Sequence, residues 1–219
     1  MKPSTLRIGY RYRPNRLAAD YDAVVIGSGN RPDPLDMGGM TTNFAFMIKD
    51  RHVAPGSGVN ENLQLGDLGD VTSNCRQSDS PCTVDLTDGW RLMLTEPGEK
   101  VLATPLTITG KVFFTTYLPQ AGGGATACTP SEGGGRLYAV SLQDGTAVIN
   151  YNSSDDDASN PDEPNSKADR SVELRSLGIP AEVVSVPPNK ILRPDLQIDN
   201  VDATTRWRTF WSLAEDEDL

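Results

Sequence analysis

The 219-residue chain carries a formal net charge of −10, is 37% hydrophobic, and contains 20 glycines and 16 prolines. A chain of this length can bury one core, and so many turn residues argue against a helical bundle. The acidic balance sets nucleic-acid partners aside, and no run approaches the ~20 apolar residues needed to span a bilayer as a helix.

Charge is unevenly placed. Lys2, Arg7, Arg11, Arg13 and Arg16 make the start basic, whereas Asp155 to Asp169 and Glu215 to Asp218 are acidic. The first residues lack the apolar h-region of a leader peptide. Cys75 and Cys82 nevertheless enclose a Ser-, Asp- and Pro-bearing loop that a disulfide could close, leaving Cys128 over. Export with a leader lost or upstream reconciles the two. Zinc is disfavoured, because the spacing fits no common zinc pattern and His52 is the only histidine.

In chain order, Tyr21–Ile26 reads as a buried strand ending in a Gly27-Ser28-Gly29-Asn30 turn, with glycine supplying positive φ. Asn43–Ile48 is the next strand, followed by a long polar, Gly-rich stretch over 51–80. Gly89–Leu94, Val101–Ile108, Lys111–Leu118, Arg136–Leu142 and Thr146–Tyr151 form the densest β signal, with turns at Pro97-Gly98, Gly110 and Asp144-Gly145. Residues 152–170 read as a solvated acidic loop. Val172–Leu174, Glu182–Val186, Ile191–Ile198 and Arg206–Leu213 supply further short strands. Helical periodicity is nearly absent, so the expected fold class is all-β.

A strand–turn–strand pattern recurs along the chain and suggests propeller blades of four antiparallel strands. The expected division is a partial blade over 20–94, a near-complete blade over 101–151, the acidic loop 152–170 and a final partial blade over 171–219. About two and a half blades cannot close a ring. Trp90 is expected to pack between blades. Phe113 and Tyr117 should face opposite to Phe114, with both faces covered, and Trp207 and Trp211 should share one face.

These segments carry a family resemblance. Residues 21–34 (YDAVVIGSGNRPDP), NFAFMIKDR, GWRLMLTEPGEKVLATPLTITGKVFFTTYLP, a cysteine in a Gly-rich loop, and RLYAVSLQDG occur in the order found in PilY1-type proteins of type IV pili. The closing RWRTFWSL resembles the Arg/Trp-rich strand with which such chains often end. The resemblance implies the C-terminal part of a quinoprotein-like β-propeller, forming an incomplete ring. It implies a non-enzymatic, extracytoplasmic protein at the pilus tip, cell surface or periplasm, promoting pilus assembly and surface adhesion. Its implied partners are the remaining blades or N-terminal region on the same or a neighbouring polypeptide, minor pilins, and host or abiotic surfaces. Some relatives carry a calcium loop, for which Asp155, Asp157 and Asp162 are the candidates. Asn160 and Ser166 stand where such a loop needs Gly and Glu, so a mobile loop with weak or no calcium binding is expected.

Catalytic patterns are weak. His52 sits among charged residues, no G-x-S-x-G elbow surrounds Ser28, and the acidic runs fall in loops that would not hold a carboxylate pair. No cofactor site is expected. The alternatives are a generic secreted propeller scaffold that binds ligands, and a remnant of a quinone-dependent dehydrogenase, which would need a closed ring, a calcium site and an aromatic floor.

Overall fold

The computed structural model describes residues 11–12, 22–36, 42–50, 62–73, 84–119, 132–156, 159, 165–176 and 178–201. Cys75, Cys82, Cys128, His52, Asp157, Asp162, Trp207 and Trp211 lie outside the described residues. The described residues form strands and short 3-10 turns, with no α-helix among them. The chain is all-β.

Three sheets follow one another along the sequence. The first has the order β1-β2-β3-β5-β4, from β1 (Arg11–Tyr12), β2 (Asp22–Gly27), β3 (Phe44–Asp50), β4 (Gly69–Asp70) and β5 (Gly89–Met93). Its pairs are antiparallel except for the short parallel β4–β5 contact. The second is built on β8 (Lys111–Leu118) and β9 (Gly134–Ser141), with β6 (Lys100–Val101) and β7 (Leu106–Ile108) both along β8. β10 (Ser171–Leu174) pairs with β9. The third is the meander β11 (Val184–Val186), β12 (Lys190–Leu192) and β13 (Ile198–Asn200).

The alternation of side chains stacks these sheets. In the first, Ala23, Val25, Ala45, Met47, Trp90 and Leu92 share a core with Val112, Phe114, Tyr138 and Val140 of the second. The opposite parity of the second sheet, Phe113, Leu137 and Ala139, packs with Leu174, Val183, Ile191 and Val201. β8 is therefore buried on both faces, as its unbroken apolar run requires. Trp90 is fully buried between the sheets, and its indole N–H donates to the Leu142 carbonyl at 3.0 Å.

Two expected strands are split rather than continuous. Val101–Ile108 breaks at Leu102–Pro105 into β6 and β7, because Pro105 has no N–H to give a ladder. Thr146–Tyr151 forms a single bridge, Ala147 to Val140, closed by the Ser141 N–H donating to the Thr146 carbonyl and the Val148 N–H to the Ala139 carbonyl. Val148, Ile149 and Tyr151 then turn onto the second core, and β10 takes the rest of the β9 edge, Gly135 to Tyr138. The fourth row of this sheet thus straddles the acidic loop, and β10 belongs with β9 rather than with a later blade.

The glycines after β2 also act differently from expectation. Gly27 and Gly29 lack positive φ. A Cβ at Gly27 would overlap the Val101 side chain, and one at Gly29 would overlap Lys100. What they permit is close approach of β2 to β6, sealed by the Val101 N–H donating to the Ser28 carbonyl at 3.0 Å. By contrast Thr109 and Gly110 both have positive φ (49° and 77°), the backbone of a tight β7–β8 hairpin.

Gly27→Val should therefore destabilise the chain by about 1–3 kcal/mol through overpacking. A lower denaturant midpoint with an unchanged m-value is the expected result, and an unchanged midpoint counts against this seam.

Candidate functional site

A cleft of about 510 Å³ opens where the first and second sheets diverge, lined by Leu92, Met93, Arg136, Tyr138, Lys167 and Arg170 among others. Its floor comes from β5 and β9, and its rim from the far end of the acidic segment. That segment is well tied where it is described. The Asp169 carboxylate accepts N–H bonds from Asn152 and Ser166, both at 2.7 Å, and is itself buried. Asp155 accepts from the Ser166 hydroxyl at 2.6 Å, and Asp156 accepts from the Asn150 amide.

Behind the cleft sits a buried carboxylate. Glu99 is 1% exposed, and its Oε1 accepts from Thr116 Oγ1 at 2.6 Å and from the Tyr138 hydroxyl at 3.0 Å. Arg136 Nη1 stands 4.0 Å from Oε2, while Arg136 Nη2 reaches Glu96 at 3.7 Å and Glu173 at 3.8 Å. The Asn43 amide donates to the Glu99 carbonyl at 2.8 Å. β8 and β9 of the second sheet and Asn43, the residue before β3 of the first, thus converge on one residue. The Tyr138 ring also stacks on Phe114, with centroids 4.8 Å apart.

Two further buried cations flank this hub. Lys100 is 2% exposed and donates to the carbonyl oxygens of Asp33 and Asp36, pinning the turn after β2. Burial pushes its ammonium down, and the Asp36 and Asp33 carboxylates partly restore it. Arg170 is 4% exposed, donates to the Thr72 carbonyl at 3.4 Å, and is pushed down to about 10 by burial.

The third sheet has its own polar knot. Arg193 contacts Asp195 at 3.0 Å and Asp199 at 3.6 Å, and the Tyr151 hydroxyl donates to Asp199 at 2.7 Å. Its guanidinium also lies 5.8 Å from the Tyr151 ring centroid.

Of the calcium candidates only Asp155 is described, and it is engaged with Ser166. Among the described residues no cluster of three or more His, Cys, Asp or Glu is placed to hold a metal ion. Among them, too, no helix is long and apolar enough to cross a membrane. Sequence reasoning missed Arg136, Tyr138, Arg170 and Arg193. It quoted Glu99 and Lys100 within the GEKV segment without giving them a role. For Arg136 and Arg193 the available signal was a lone charge beside an apolar β run, which demands a partner once buried.

Removing one member of this hub should be costly. Glu99→Ala leaves Arg136, Thr116 and Tyr138 without their shared acceptor, and a loss of about 3–5 kcal/mol is expected in chemical denaturation. Alkaline pH tests the same geometry. Burial first, then the Glu99 carboxylate, raises the Tyr138 phenol above its ordinary value of 10.0, and burial with Asp199 raises Tyr151 likewise. Raised folded values mean that stability is intact below pH ~10 and falls above it, as unfolded tyrosines ionise first, by up to about 1.4 kcal/mol per pH unit for each group. Tyr138→Phe should flatten that fall, and an equally steep fall in the variant contradicts the assignment.

The sequence matches no described protein family and no curated protein. In three dimensions the chain is similar to the crystal structure of the Pseudomonas aeruginosa PilY1 C-terminal domain, with a TM-score of 0.59 and 13% identity. The match covers 91% of this chain and 44% of that one. At that identity it shows a shared fold, in a chain that spans less than half the length of its solved neighbour.

Proposed function

We propose that this chain is a non-enzymatic, extracytoplasmic part of a type IV pilus protein, promoting pilus assembly and contact with surfaces. The single observation that carries the reading is the shared fold over nine-tenths of the chain with a PilY1 C-terminal domain. The three stacked sheets are read as successive blades of a propeller whose ring is completed by further polypeptide. Minor pilins and host or abiotic surfaces are the partners this reading names.

The outer faces of the stack suit such completion. On the first sheet, Val24, Phe44, Phe46, Ile48 and Met93 are only partly covered, and the Phe44 and Phe46 rings lie 5.6 Å apart. Apolar surface of this extent favours burial against another layer. The cleft around Arg136 is read as an inter-blade seam rather than a reaction centre, since its arginine is already matched by three carboxylates.

Deleting the gene should abolish or strongly reduce surface pili recovered by shearing, with restoration by the intact gene. Unchanged piliation and unchanged surface attachment would refute the proposal. In isolation the chain should self-associate, and light scattering from a lone, cooperatively unfolding monomer would speak against the open-ring reading. Export further implies a Cys75–Cys82 disulfide, whose short loop adds roughly 2–3 kcal/mol. Alkylation of the unreduced, unfolded protein should then label one cysteine, and labelling of all three removes the pairing.

A further inference from the structure

Each end of the stack presents an apolar face, and the two faces complement one another. In the first sheet Val24, Phe44, Phe46, Ile48 and Met93 have the parity opposite to the core residues Val25, Met47 and Trp90, so they point away from the second sheet. Met93 is exposed and the other four are half-buried. In the third sheet Val184, Leu192 and Ile198 are cross-strand partners in one row, on the side opposite to the fully buried Ile191. Val184 and Ile198 are 54% and 56% exposed.

The charges at the margins of these faces differ in sign. On the first sheet Arg91 is matched within the face by Asp70 at 3.5 Å, and Asp50 lies two residues beyond Ile48 on the same side. On the third sheet the exposed Lys190 stands two residues before Leu192, in the row Val186–Lys190–Asn200. Each face thus has an apolar centre with charge towards one end, acidic on the first sheet and basic on the third. Packing a face on its own kind would put like charges into one interface, which is unfavourable.

We infer that the occupant of each outer face is a second copy of this chain. The first sheet of one copy packs on the third sheet of the other, at both ends, and two copies close one ring of six sheets. This rests on the reading of the three sheets as propeller blades and names the polypeptide that completes them.

The chain already makes the required step twice. Its first sheet packs on the second through Trp90 and Phe114, and its second on the third through Phe113 and Ile191. A first sheet laid on a third continues that series. Propellers close with four to eight blades, and three sheets per copy reach that range with two copies. The structural match covers 44% of the PilY1 C-terminal domain, so two copies supply close to the length of one such domain. A two-fold axis through the ring makes the two contacts identical.

Light scattering coupled to size-exclusion chromatography on the full chain tests this without reference to pili. The expected mass is twice that of the chain and stays there as concentration rises. Phe46→Glu on the first sheet and Ile198→Lys on the third should each give a monomer, because each damages both contacts of the ring. An equimolar mixture of the two variants keeps one contact unaltered, between the first sheet of the Ile198 variant and the third sheet of the Phe46 variant. Mixed dimers should therefore return, which a variant that merely fails to fold could not achieve. Where either variant unfolds, Met93→Glu and Val184→Lys, at exposed positions of the same faces, take their places. No association in the mixture overturns the inference. A mass that grows without limit, or dimers lost in only one of the two variants, overturns the closed pair and leaves the open-ring reading standing. A monomer of the unaltered chain at every concentration overturns both.

Discussion

The architecture depends on β8 being buried on both of its faces. Val112 and Phe114 point into one core while Phe113 points into the other, so the second sheet has no solvent side. Such a strand is stable only as the middle layer of a stack, and it obliges a sheet before it and a sheet after it. The first and third sheets meet that demand and inherit a weaker form of the same problem. Each has one face covered by the second sheet and another whose apolar residues remain partly open.

Apolar layers alone would slide. What fixes their relative position is a small set of polar groups with no tolerance for displacement. Trp90 reaches across to the Leu142 carbonyl, and the Val101 N–H to the Ser28 carbonyl. Glu99 gathers Thr116 and Tyr138 from two strands of the second sheet, while its carbonyl takes the amide of Asn43 beside the first. A buried carboxylate is expensive, and hydrogen bonds with a nearby arginine offset that cost only in one geometry. These contacts therefore discriminate between registers more than they add to net stability.

Much of the fold was legible in the sequence because β patterning is local. The parity of Phe113 against Phe114, the inter-sheet place of Trp90 and the turn glycine Gly145 follow from alternation and turn chemistry. Strand continuity was less legible. Thr146–Tyr151 has the composition of a strand, yet Val148, Ile149 and Tyr151 gain more by packing onto the second core, and a segment 20 residues later completes the ladder. That choice is a tertiary one, invisible to any short window. The Gly27-Ser28-Gly29 motif misled for a similar reason: its glycines answer to Val101 and Lys100, more than 70 residues away.

The cleft behind which Glu99 sits was unreadable because its residues come from distant segments and no motif joins them. Its charge balance also argues for a seam. Arg136 is ringed by Glu96, Glu99 and Glu173, and Lys100 is spent on backbone carbonyls. A group already satisfied from within has little left for an incoming ligand, whereas a site evolved for binding keeps part of its potential unspent. The same test applied to the outer faces gives the opposite result. There Ile198, Leu196 and Val184 on the third sheet, and Phe44 and Phe46 on the first, retain apolar surface that nothing described covers fully. The unspent apolar surface of the described residues therefore lies on the outer faces of the first and third sheets, and not at the polar joints between them.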